Sequence, residues 1–256
     1  MLVIGRKVEF LMPIGSDQLL TEMGIIRWRE RRPLSETPIA EDPDTRPEVI
    51  VDDIARKGAS SSVLTKNVHA LDWPALKVMV EGCQRCELHR SRTQTVFGVG
   101  ALNADLLIIG EAPGQNEDRL GEPFVGRAGQ LLNAMLKALG MGREAVYIAN
   151  TLKCRPPGNR DPKREETEAC ASYLERQIAL LAPRVILAVG RIAAQTLLAS
   201  EAPLGRMRGR AHHLPGTDIP VIVTYHPAYL LRSPAQKRQA WSDLLMARQY
   251  LRETPG

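Results

Sequence analysis

The sequence predicts a three-layer α/β sandwich built on a central, mainly parallel sheet, with a cysteine-bearing loop region attached to it. Two observations carry this. Four short and almost wholly apolar runs, DLLIIG (105–110), AVYIAN (145–150), RVILAVG (184–190) and PVIVTYHP (220–227), lack the polar alternation of a strand with one wet face, which marks strands covered on both sides. Amphipathic segments fill the gaps, so strand and helix alternate as they do around a parallel sheet.

Taken in order, residues 16–32 carry apolar positions at helical spacing, with Ser16 or Asp17 to cap the run and Pro33 to stop it. Residues 33–66 mix Pro, Asp, Glu, Ser and Thr around the short apolar VIV of 49–51, too little to offset the entropy of ordering a chain, and read as a flexible linker. The domain proper is expected over 67–256. It opens with a short helix in HALDWPALKVMVEG (69–82). Further helices are predicted in AGQLLNAMLKALG (128–140), which closes on Gly140, in 161–183, which opens on an Asp-Pro cap signal and ends before Pro183, and in 233–251.

A chain of 256 residues with 44% apolar content suits one such domain plus an appendage. No stretch reaches the roughly 18–20 uninterrupted apolar residues of a membrane helix, and Arg6, Lys7 and Glu9 break the N-terminal patches. The chain is therefore expected in the cytoplasm, with no membrane partner. Thirty-four Lys and Arg against 29 Asp and Glu give a formal charge of +5, which permits attraction to a polyanion without demanding it.

In open parallel sheets ligands sit beyond the carboxyl ends of the strands, where GEAPG, Asn150 and His226 fall. GEAPGQNED (110–118) follows a strand directly, and its glycines let backbone N–H groups of a turn beginning at Gly110 come close to a ligand; an ordinary strand-to-helix loop reads the same way. Phe124 sits between Pro123 and a Gly-rich turn, either as a core plug or as a platform on which a flat base could stack. Asn150 ends a strand, with an amide suited to a base edge or to capping a turn. His226, before Pro227, is either structural or the general acid or base that histidine commonly supplies.

Cys83 and Cys86 form a C-x-x-C too short for an ordinary disulfide staple; Cys154 and Cys170 follow, with fifteen residues between them. The two pairs can close one four-thiolate site, and their spacing admits either tetrahedral zinc or an iron–sulfur cluster.

The ordered set C-x-x-C, GEAPGQNED, PFVGRAG, N-x-x-KCRPPGNRDP, the fourth cysteine and HPAYLLR resembles the family 4 uracil-DNA glycosylases over about residues 68–252. The resemblance implies a uracil-DNA glycosylase-like fold, a 4Fe-4S cluster held by Cys83, Cys86, Cys154 and Cys170, and a monofunctional hydrolase of base-excision repair. Its partner would be uracil-containing single- or double-stranded DNA, met as a monomer. It also implies that Phe124 stacks on a flipped uracil beside Gly110, that Asn150 reads its Watson–Crick edge and that His226 donates to a uracil oxygen as charge develops there. Related glycosylases with a different first motif carry Asp or Asn where this chain has Ala112, which cannot accept a proton. Glu111 is therefore the expected water-orienting residue and Glu117 its support. A covalent-binding branch departs from GEAPG and inserts a basic loop with a reactive histidine; this chain does neither, which implies ordinary turnover. For DNA contact, Leu230 and Leu231 are expected as wedges beside Arg232 and Lys237. Lys153, Arg155, Arg160, Lys163 and Arg164 are the expected phosphate contacts, unless they form only a solvated basic face.

Two other classes compete. A metal-shaped DNA-binding module without turnover has no use for Phe124, Asn150 and His226 together. A redox enzyme cycling the C-x-x-C would leave two cysteines over.

Overall fold

A computed structural model describes residues 68–253; the expected helix of 16–32 and linker of 33–66 lie outside the described residues. Six strands form one sheet, β1 (Val99–Gly100), β2 (Leu106–Gly110), β3 (Tyr147–Asn150), β4 (Val185–Val189), β5 (Ala211–His213) and β6 (Pro220–Thr224), in the spatial order β1-β3-β2-β4-β6-β5. The four central strands are parallel, while β1 and β5 pair antiparallel with β3 and β6 at the two edges. Every residue of the central strands is buried, as their unbroken apolar runs require.

The pleat divides the core into two layers. Leu106, Ile108, Val185, Leu187 and Val189 pack on one face beneath α3 (Arg127–Ala138) and α8 (Lys237–Glu253). Leu107, Ile109, Ile186 and Ala188 pack on the other, beneath α4 (Arg164–Leu181) and α5 (Arg191–Leu198). The predicted three-layer architecture is thus present. Shorter helices complete the described chain: α1 (Trp73–Glu81), capped by Asp72, which accepts from Ala75 N at 3.0 Å; α2 (Gln115–Leu120); α6 (Leu204–Met207); and α7 (Pro227–Arg232).

A third apolar cluster stands apart from the two layers. Leu76, Val80, Leu88, Leu152 and Tyr173 gather there around Cys154 and Cys170, tying α1 and the C-x-x-C segment to α4. Each fully buried leucine in it contributes about 1.5–3 kcal/mol. One expectation needs correction here. The helix placed at 161–183 begins only at Arg164, because the cap is made by Glu166, whose carboxylate accepts from Lys163 N at 2.8 Å, and not by the Asp-Pro step.

Candidate active site

Gly110 and Asn150, the last residues of β2 and β3, are register partners, so their side-chain positions open side by side at the carboxyl edge of the sheet. A Cβ at residue 110 would stand 2.5 Å from Asn150 Oδ1 and 2.7 Å from Phe124 Cζ. Glycine is required there because the space is shared by the amide and the ring. Asn150 is 2% exposed, and its Oδ1 accepts no hydrogen bond. Leaving a buried acceptor unpaired costs about 1–3 kcal/mol, a cost that a ligand N–H would remove. Gly110→Ala is expected to lower kcat/KM by at least about tenfold while the protein still folds, since overpacking of this kind costs about 1–3 kcal/mol; kinetics beside a melting curve check it.

Phe124 has φ +53°, a left-handed backbone that is strained for a side chain of this size. Its surroundings impose it. Glu117 of α2 accepts from Val125 N at 2.9 Å and Gly126 N at 3.0 Å; the Arg143 guanidinium donates to the carbonyls of Pro123 and Phe124; and Gly129 of α3 comes so close that a Cβ would sit 1.7 Å from Phe124 O. Sequence reasoning found Glu117 but not Arg143, which is far along the chain and carries no motif. Burial, opposed by the nearby Glu122 and Glu117, lowers the Arg143 pKa from its ordinary value.

The resulting ring faces His226, with centroids 5.6 Å apart and planes at 31°. His226 follows β6 and caps α7: its Nδ1 accepts from Ala228 N at 3.2 Å, so in the neutral ring Nε2 carries the proton and is the free donor. Burial first, then the Arg232 charge, push its pKa down to about 4, with Glu117 opposing. Beneath it lies Gly190, φ +102°, where a Cβ would come within 3.1 Å of the His226 Cβ.

An unpaired amide oxygen, an aromatic ring and a neutral imidazole N–H donor thus stand together at the carboxyl edge of the sheet. The region from 97 to 245 matches the model of the uracil DNA glycosylase superfamily. The chain belongs to that superfamily. Type-4 uracil-DNA glycosylases are its relatives: one from Pyrobaculum aerophilum is 43% identical over 182 residues, spanning 69% of this chain and 93% of the relative. One from Archaeoglobus fulgidus is 44% identical over 170 residues (64% and 85%), and one from Thermotoga maritima 40% identical over 177 residues (68% and 92%). The chain is a uracil-DNA glycosylase of this type-4 group.

In this glycosylase Glu111 directly follows β2 and is half-buried. Its carbonyl is fixed by Thr151 Oγ1 at 2.6 Å and Leu152 N at 3.1 Å, while burial and then Asp161 raise its carboxyl pKa, opposed by Arg191. The four cysteines are free thiols lining one small hollow with Leu88 and Leu152. Arg92 donates to Cys154 Sγ at 3.0 Å. Among the described residues no three His, Cys, Asp or Glu side chains are disposed to hold a single metal ion.

Two of the expected DNA contacts, Leu230 and Lys153, are corrected by burial. Leu230 is 1% exposed and packs in the core with α3 and α8, so it cannot wedge into DNA, whereas its neighbour Leu231 is exposed beside the exposed Arg232. Lys153 is 1% exposed and spends its ammonium inside the protein. Arg160 pairs with Glu166 through both terminal nitrogens, at 2.9 and 2.5 Å, and so braces the carboxylate that caps α4. Arg155 binds Asn159 Oδ1 through Nε at 2.7 Å, and Arg164 pairs with Glu168 one turn on. Lys163 is exposed.

Proposed function

We propose that this glycosylase takes uracil out of single- or double-stranded DNA and hydrolyses its N-glycosidic bond, leaving an abasic site for base-excision repair, and that it does so as a monomer in the cytoplasm. The buried, unpaired Asn150 Oδ1 beside Phe124 and His226 supports this most directly. A uracil N3–H satisfies that oxygen, the amide N–H₂ can meet the adjacent carbonyl, and the ring lies against Phe124. Cytosine has no N–H at that position and would leave the acceptor unpaired.

As the bond from the sugar C1′ to the base nitrogen breaks, its electron pair moves onto uracil and positive charge grows on the sugar. The Nε2–H of a neutral His226 stabilises the developing anion without giving up its proton, a donor worth about 3–4 kcal/mol. Water then adds its oxygen to C1′ and releases a proton. Glu111 is the carboxylate placed to orient that water, and Glu117 acts through the Phe124 loop. Leu231 fills the space the base leaves, with Arg232 and Arg155 on phosphate.

The cysteine hollow fits an iron–sulfur cluster. Its donors are four thiols and nothing else, and they come from three separate chain segments around one hollow, a donor set that an iron–sulfur cluster takes. When bound, a 4Fe-4S cluster supplies cross-linking of those segments and no step of the hydrolysis. Cys83, Cys86, Cys154 and Cys170 would hold it.

The test is cleavage of a labelled strand carrying one uracil beside an identical thymine strand, followed by alkali. Breakage at uracil alone is expected. Intact strands from protein with a full complement of iron would instead favour a DNA-binding module without turnover.

A further inference from the structure

A lysine ammonium inside a protein is costly unless its hydrogen bonds replace the lost water. Lys153 is 1% exposed. Its Nζ donates to the backbone carbonyl of Asn150 at 2.9 Å and to Gln177 Oε1 at 2.6 Å. Gln177, on α4 and fully buried, passes its own Nε2–H to Phe97 O at 3.0 Å. The Lys153 carbonyl accepts from Val96 N at 2.8 Å, and its backbone N–H reaches the Cys170 sulfur. Every polar group of this residue is thus used to hold the turn between β3 and the cysteine hollow.

That turn begins at Asn150, whose Oδ1 has no hydrogen bond of its own to orient it. Its aim is therefore set by the backbone on either side. On the strand side, register with Gly110 fixes it; on the loop side, the ammonium clamps the peptide that leaves Asn150. An exposed lysine in this basic loop would have been an ordinary phosphate contact, but burial removes that role.

We propose that Lys153 is a positioning residue for base recognition, holding the peptide after Asn150 so that the amide faces the uracil edge between Gly110 and Phe124. This rests on the reading of Asn150 as the base-reading residue. Lys153 touches neither the base nor the sugar and acts through Asn150 alone.

The test is a double-mutant cycle on the cluster-loaded chain, measuring excision from a uracil-containing strand. Lys153→Met preserves the stem and deletes the donor. It is expected to lower kcat by about tenfold or more, with KM for DNA, its salt dependence and the visible absorbance of the cluster unchanged. In an Asn150→Ala background the same substitution is expected to cost about twofold or less, because there is no amide left to aim. Equal losses in both backgrounds would overturn the proposal, as would a raised KM with a shallower salt dependence, the mark of a phosphate contact. Should Lys153→Met yield no soluble protein, Gln177→Met decides instead: it removes the second anchor of the ammonium and is expected to cost about threefold in kcat, again only when Asn150 is present. A kcat equal to that of the parent chain would overturn the proposal. Asn150→Ala retaining full activity would strike at the assignment of the pocket itself, whereas an impaired Asn150→Ala with additive losses strikes only at Lys153.

Discussion

His226→Ala is expected to release uracil about 10²–10³ times more slowly than the parent chain, with iron content unchanged, because it removes a preorganised donor at the atom where charge develops. Asn150→Ala is expected to fall as far or further, since it removes the buried, unpaired acceptor proposed to read the base edge. The imidazole is the more informative of the two. Its pKa, pushed down to about 4 by burial and by Arg232, leaves it neutral at any working pH, with Nδ1 occupied by Ala228 N–H and Nε2–H directed elsewhere. A neutral donor cannot be titrated away between about pH 6 and pH 8, so kcat should show no inflection there that His226→Gln abolishes. An inflection near the ordinary histidine value, lost in that variant, would mean a charged imidazolium takes part.

The same shift has a consequence for stability, with a definite sign. Unfolded, this histidine binds a proton near its ordinary value of 6.5; folded, it does so only near 4. Between those values the unfolded chain holds more protons, so stability rises with pH across the window. Its contribution is complete above about pH 6.5 and is lost as the solution is acidified toward pH 4.

How much of this was legible beforehand follows from which forces act locally. The four central strands are readable because burial on both faces forces an unbroken apolar run, and each lies inside the segment the sequence marks. The edges are not readable in this way. β1 has two residues and β5 three, Ala211–His213, too few for any period, and each exists only because a longer neighbour offers free backbone groups. α2, α5, α6 and α7 were missed for a related reason: each is short, and α7 begins on a strand-end His-Pro step that reads as extended chain. Gly110, Phe124, Asn150 and His226, which the structure brings together, were singled out because they lie at strand ends or in a motif. Arg143 and the true setting of Lys153 were hidden, since a basic residue in a basic loop gives no sign that it points inward. Leu230 and Leu231 are adjacent and identical in type; only the helical turn of α7 decides that one enters the core and the other faces water.

Replacing Cys170 or Cys154 by Ser is expected to produce a larger structural loss than any pocket substitution, with iron content, melting temperature and activity falling together. Both sulfurs are buried, at 8% and 6% exposure, in the third apolar cluster, which otherwise holds α1 and the C-x-x-C segment by a handful of side chains. Serine puts a hydroxyl into that setting and is a poor ligand for iron, so the chain loses packing and the cross-link at once. A loss of about 4 kcal/mol would lower the melting temperature of a domain this size by about 8–16 °C. Activity should follow although no cysteine lies in the pocket, because Cys154 directly continues the turn that begins at Asn150, and Cys170 receives the Lys153 backbone N–H. Loosening the hollow is therefore expected to loosen the Asn150 amide, the proposed reader of the base. A Cys170→Ser protein that kept its iron, its melting temperature and its rate of excision would show that the fourth ligand comes from elsewhere. One that lost its iron but kept its rate would show that the apolar cluster alone holds the recognition turn in place.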